Sequence, residues 1–227
     1  MGSHGIKDQV AIIGMGCTRF GERWDVGTDD LLIESSNEAY ASAGISPADV
    51  DAYWLGTALS GTSGMDLAGP LKLDDKPVSL VQNFCATGSE ALRQACYAVA
   101  AGAYDTAMAI GVEKVKDSGY QGLQGAAKIP TDGTGRTLTA AAMYAMILPA
   151  YSKRYGVDPD ELRMVVAKIA EKNHYNGARN ERAQFRRETS AEQICAMPTV
   201  AGQLSVFDCS GVADGSAAAI VCRAEDA

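Results

Sequence analysis

Pro77-Val-Ser-Leu-Val-Gln82 leads into Asn83-Phe-Cys-Ala-Thr-Gly-Ser89 and then into Glu90-Ala-Leu-Arg-Gln-Ala-Cys-Tyr-Ala-Val-Ala-Ala101. The first piece is a short apolar run and reads as a strand, 77–82. The last is rich in Ala and carries no charge after Arg93, so 88–101 reads as a helix apolar on most sides, which is a buried helix. Between them, the small residues Ala86, Gly88 and Ser89 make a tight turn that projects Cys85 toward a cleft. The partial positive charge of a helix start favours a thiolate at that place. A cysteine on a strand-to-helix turn has the logic of a nucleophile elbow.

Outward from this segment the pattern repeats. Strands are expected at 10–15, 52–59 and 105–112, and a helix at 29–43 stopped by Gly44. Residues 60–75 read as loop with a short helix. The order β-α-β-loop-β-α-β belongs to an α/β sheet with helices on its faces. After Glu113 the periodicity changes. Residues 114–137 read as irregular, helices are expected at 139–155 and 159–174, and Pro149 should kink or break the first. Asp158 is the expected N-cap of the second, with Pro159 in its first turn. Residues 175–187 are polar and basic, and 189–195 reads as a short helix capped by Thr189 or Ser190. Residues 216–222 supply a last apolar strand, so an insertion of roughly ninety residues interrupts the sheet.

The chain has 227 residues, 47% hydrophobic and 21% charged, as in an ordinary globular protein. No run of eighteen apolar residues suggests a membrane span. Residues 1–5 read as a tag remnant, with no signal-peptide core after them. The net charge of -8 argues against nucleic acid as the main partner. It leaves room for a local basic patch, and Arg179, Arg182, Arg186 and Arg187 form one in sequence. None of the six cysteines is in a Cys-x-x-Cys pair and only two histidines are present, so no metal site is expected. Cys17, Cys96, Cys195, Cys209 and Cys222 read as small buried residues. Reduced thiols in a cytoplasm are the expectation. Met143 to Ile147 have helical spacing and read as core.

Residues 83–92, Asn-Phe-Cys-Ala-Thr-Gly-Ser-Glu-Ala-Leu, resemble the nucleophile segment of the thiolase superfamily, in particular sterol-carrier-protein-x type thiolases and lipid-transfer acetyl-CoA acetyltransferases. Further segments agree in order: 10–21, 109–114, 172–176, 183–185 and 208–219, together about residues 7–226. The resemblance implies the N-terminal half of that fold, a mixed five-stranded sheet with helices on both faces and an inserted, mostly helical loop domain. The expected division is 6–113 with 208–227 for the α/β domain and 114–207 for the insert. It also implies Cys85 as the acyl-accepting nucleophile, acyl-CoA as substrate rather than a resident cofactor, and oxyanion donors such as the amide of Cys85. Arg179, Arg182 and Arg186 are candidates for the CoA phosphates.

The chain departs from the family where the second half should begin. No Gly-His-Pro and no Cys-x-Gly-Gly segment occurs. The family's base and its second cysteine reside in that half, and His174, in the insert, is a poor replacement. The chain alone is expected to lack a complete active site, so that either it is an excised domain or a second chain carries the other half, and a homo- or hetero-oligomer is expected. Relatives in steroid side-chain breakdown offer an alternative: retro-aldol cleavage of a 3-hydroxyacyl-CoA beside a small zinc-ribbon and OB-type acyl-CoA-binding partner. A non-catalytic acyl-CoA-binding protein on the same fold is a third reading.

Overall fold

The computed structural model describes residues 5–119 and 139–227; most of the 114–137 segment lies outside the described residues, as do residues 1–4. In chain order the regular elements are β1 (Val10–Cys17), α1 (Thr28–Ala43), β2 (Ala52–Gly56), α2 (Met65–Leu71), β3 (Val78–Val81), α3 (Thr87–Ala100) and β4 (Thr106–Glu113). Then follow α4 (Ala140–Ala145), α5 (Ile147–Tyr155), α6 (Pro159–Arg179), α7 (Ala191–Ala196), β5 (Thr199–Ala201), β6 (Leu204–Ser205) and β7 (Gly215–Arg223). The chain divides into two compact units, residues 1–120 with 213–227, and residues 121–212.

The first unit holds a five-stranded mixed sheet in the order β1-β7-β4-β2-β3. β2 pairs in parallel with both β3 and β4, whereas β7 runs antiparallel between β4 and β1. Side chains alternate across the sheet with the period of two that a strand imposes. Tyr53, Leu55, Met108, Ile110, Ala218 and Ile220 meet Leu31, Leu32 and Ala39 of α1 on one face. Ala52, Trp54, Ala107, Ala109 and Val221 meet Ala91, Ala95 and Val99 of α3 on the other. Gly14 and Gly16 let α1 lie directly on β1: a Cβ on Gly16 would fall 2.2 Å from the Ser35 carbonyl oxygen.

Several sequence expectations need correction here. β1 is not a buried strand. It pairs only with β7, so it is an edge, and Ile12 and Met15 are 51% and 64% exposed. α3 is not buried on most sides: Thr87, Ala91, Ala95 and Val99 form one packed face, while Gly88, Ser89 and Arg93 are exposed. Alanine makes a helix look apolar all round, but only the i, i+4 row reaches the sheet.

The second unit confirms the capping logic. Asp158 Oδ1 accepts the amides of Asp160 and Glu161, and Ser190 Oγ accepts that of Gln193. The break caused by Pro149 falls at Met146, between α4 and α5. A proline clashes with the carbonyl four residues earlier, here that of Ala145, the last residue of α4. α6 extends to Arg179, beyond the expected end at 174. Ala145 and Leu148 join Leu162 and Leu204 in a small core, but Met143, Met146 and Ile147 are exposed and are not core as expected. The hairpin β5–β6, turning at Gly202 with φ +51°, is too short for a periodicity to announce it. No described helix is long and apolar enough to cross a membrane.

Candidate active site

Strands β2, β3 and β4 are parallel, so their C-terminal ends lie at one end of the sheet. Ligands of open α/β sheets gather at such ends. Cys85 sits there, on a 3-10 turn Phe84–Ala86 that joins β3 to α3. It is the exposed one of the six cysteines; the others are half-buried or buried, and all are free thiols. Burial pushes the thiols of Cys96, Cys209 and Cys222 up, which disfavours their reactive form.

The turn has an uncommon backbone. Phe84 adopts φ +46°, the left-handed region that a residue with a Cβ avoids. Such a conformation costs of order 1–3 kcal/mol and persists only where the surroundings enforce it. Here the Asn83 carbonyl accepts the amide of Ala86 at 3.0 Å. The Thr87 hydroxyl accepts the amide of Asn83 at 2.8 Å and donates to the carbonyl of Phe84 at 2.6 Å. Thr87 in turn packs over Gly56, the last residue of β2, whose missing side chain leaves room for it.

Two carboxylates frame this end of the sheet. Glu113, at the end of β4, accepts the amides of Ala58 at 2.5 Å and Leu59 at 3.3 Å through Oε1, and the Ser60 hydroxyl at 2.7 Å through Oε2. It thereby fastens the loop that follows β2. Asp214, fully buried just before β7, accepts the amides of Val115 and Lys116 on Oδ1. Its Oδ2 accepts the amide of Arg23 and the Lys114 ammonium. Burial pushes the Asp214 carboxyl up, but the amides of Lys116 and Arg23, the Lys114 ammonium and the Val115 amide outweigh it and hold it below the usual carboxylate range. Both carboxylates are engaged by structural donors and brace the loops at this end of the sheet. Sequence reading did not single out either as part of the site. Their signals were an acidic residue at the junction of an apolar strand and a loop, and a place within the segments 109–114 and 208–219 that resemble the family.

The other sequence candidates lie in the second unit. His174 donates Nε2–H to the Phe207 carbonyl at 3.3 Å and stacks edge-on against the Phe207 ring, a structural engagement. Arg179 is tied to Glu188 at 2.6 Å and lies 3.4 Å over the ring of Tyr175. Arg182 and Arg186 are exposed on the loop after α6. That loop is anchored: Gln184 donates to the Val212 carbonyl at 3.0 Å, and Phe185 seats its ring where a Cβ on Gly211 would fall. Among the described residues no group of three His, Cys, Asp or Glu is placed to hold a metal ion.

Known proteins resemble this arrangement. The acetyl-CoA acetyltransferases of Methanocaldococcus jannaschii and Methanothermobacter thermautotrophicus are 36% and 34% identical, over 96% and 95% of this chain. The chain spans only 56% and 57% of their length. A solved structure described as "Ltp2-ChsH2(DUF35) aldolase" superposes with a TM-score of 0.78 at 25% identity, over 96% of this chain and 56% of that one. Residues 10–225 match the thiolase N-terminal domain family, and the chain belongs to that family.

Proposed function

We propose that this chain is the nucleophile-bearing half of a thiolase-type acyl-CoA acyltransferase, with Cys85 as the acyl acceptor. The observation that carries the reading is an exposed cysteine held on a strained turn between β3 and α3, at the C-terminal end of the parallel strands. The Cys85 sulfur attacks the thioester carbonyl carbon of an acyl-CoA. A new carbon–sulfur bond to Cys85 forms, the bond to the CoA sulfur breaks, and CoA leaves with the proton that Cys85 gave up. Donors at the turn, the Cys85 amide among them, stabilise the oxyanion that forms in between. In condensation the acyl group then passes to the α-carbon of a second acyl-CoA, whose α-proton a base removes; in thiolytic cleavage the Cys85 sulfur instead attacks the 3-keto carbonyl of a 3-ketoacyl-CoA, the bond between carbons 2 and 3 breaks, the departing α-carbon takes up a proton, and the acyl group left on Cys85 passes to the sulfur of CoA.

In this reading the base and the second cysteine come from a C-terminal half that this sequence does not contain, so the half is supplied by a second kind of chain or by a longer chain, and the working enzyme is a homo- or hetero-oligomer of such units. CoA is a substrate, and no resident cofactor is needed. Arg179, Arg182 and Arg186 meet its phosphates in this reading, which the exposure of Arg182 and Arg186 on an anchored loop supports. The division into an α/β domain, 6–113 with 208–227, and an insert, 114–207, belongs to the same reading and agrees in outline with the two compact units. We place the protein in the cytoplasm, where such a thiol stays reduced, in the breakdown of fatty or steroid acyl chains. Likeness to the Ltp2-ChsH2 aldolase favours a second reading, a retro-aldolase component working beside an acyl-CoA-binding partner chain.

The test is intact-protein mass spectrometry after incubation with acetyl-CoA, with and without a supplied C-terminal half, for wild type and Cys85→Ala. One added acetyl group that vanishes in Cys85→Ala is expected. No acylation under any condition would overturn the acyltransferase reading in favour of the aldolase.

A further inference from the structure

We infer that Thr87 is a positioning residue for Cys85, acting through its hydroxyl and not through its bulk. The proposal rests on the reading of Cys85 as the nucleophile, but its geometry is independent of the acyl chemistry. The Thr87 hydroxyl is an intermediary with two bonds. It takes the Asn83 amide and gives its own proton to the Phe84 carbonyl. The Thr87 amide points at the same Phe84 oxygen. That oxygen belongs to the peptide joining Phe84 to Cys85. A peptide is planar, so fixing its oxygen also fixes the direction of the Cys85 N–H and the base from which the thiol projects. Phe84, at φ +46°, would leave the left-handed region if this hold were released.

The methyl group of Thr87 has a different task. It lies against Gly56, where an added Cβ would stand 3.1 Å from it. Thr87 is 7% exposed, so both halves of its side chain are engaged. Two near-isosteric substitutions separate them. Thr87→Ser keeps the hydroxyl and loses the methyl. Thr87→Val keeps the methyl and loses the hydroxyl.

The experiment uses the 227-residue chain and needs no second half. The rate of Cys85 alkylation by iodoacetamide is followed from pH 6 to 10 by peptide mass spectrometry, with the other five cysteines as internal controls. Thr87→Ser is expected to keep the wild-type profile. Thr87→Val is expected to lower the plateau rate by roughly tenfold, within the roughly hundredfold that a 1 Å misplacement of a reacting atom can cost. A Thr87→Val profile matching wild type, with Thr87→Ser as the altered one, would assign the residue to packing and overturn the proposal. Amide exchange at Asn83 in the wild-type chain keeps the proposal refutable even if Thr87→Val does not fold: slow exchange is expected, and exchange at the free-peptide rate would refute the hold. An altered Thr87→Val profile together with no acylation by acetyl-CoA would leave the positioning role standing and remove only the acyltransferase reading.

Discussion

Asp214→Asn removes a charge while keeping the shape of the side chain, and the structure says why that is not a mild change. Four donors converge on the two carboxylate oxygens: the amides of Val115 and Lys116 on one, the Arg23 amide and the Lys114 ammonium on the other. An asparagine has one acceptor oxygen and one donor nitrogen. Whichever way it is turned, its NH2 faces two donors, and the buried Lys114 ammonium is left with the more exposed Asp117 as its one carboxylate partner. Breaking a buried ion pair on one side costs about 3–5 kcal/mol. Both tryptophans, Trp24 and Trp54, lie in the sheet-containing unit, and the Lys114 ammonium sits 5.6 Å from the Trp24 ring. Tryptophan fluorescence in urea therefore reads the unit concerned. With a slope of about 2 kcal/mol per molar urea, the midpoint should fall by roughly 2 M. The pH dependence has a definite sign. The folded-state pKa of Asp214 lies below the ordinary value of about 3.9, so its stabilisation is fully present above that value and is lost as pH falls through the folded-state pKa. The gap between wild type and variant should thus be constant from pH 7 to 5 and shrink below about pH 4. A midpoint loss under about 0.5 M at pH 7, or a gap that is the same at pH 5 and pH 3, would refute an ionised, four-donor Asp214.

Glu113 should behave differently from Asp214. In Glu113→Gln the amide oxygen can still accept Ala58 and Leu59 while its NH2 donates to the Ser60 hydroxyl, so a loss below about 1 kcal/mol is expected, against about 2–3 kcal/mol for Glu113→Ala; equal losses in urea would contradict this. Gly16→Ala places a Cβ 2.2 Å from the Ser35 oxygen and 2.7 Å from the Ala39 amide nitrogen, both backbone, and should cost about 1–3 kcal/mol or more by thermal melting. Gly69→Ala in α2 meets nothing within 4 Å outside its chain neighbours, but the Pro70 ring that follows it disfavours a helical residue with a Cβ, so it should gain nothing and still cost less than Gly16→Ala; a reversed order of the two melting temperatures would count against the packing of α1 on β1.

Much of the fold was legible in the sequence because it is encoded by near neighbours. Short apolar runs located the five sheet strands, Asp158 and the Thr189–Ser190 pair announced their helices by capping chemistry, and Cys85 stood out between an apolar run and an Ala-rich helix. The candidate site was legible only at that cysteine. Its left-handed neighbour Phe84, the Thr87 hydroxyl that spans the turn, and the bracing by Glu113 and Asp214 were not. A phenylalanine does not advertise a positive φ, because its own preference is against it and the surrounding hydrogen bonds impose it. Sequence determined which segments are strand or helix and which thiol begins a helix. Tertiary structure alone decided that β7 inserts between β4 and β1, leaving β1 as an exposed edge, and that Asp214 gathers donors from residues 23 and 114–116. Those outcomes depend on partners up to about two hundred residues apart, and periodicity carries no record of which distant group will satisfy a buried charge.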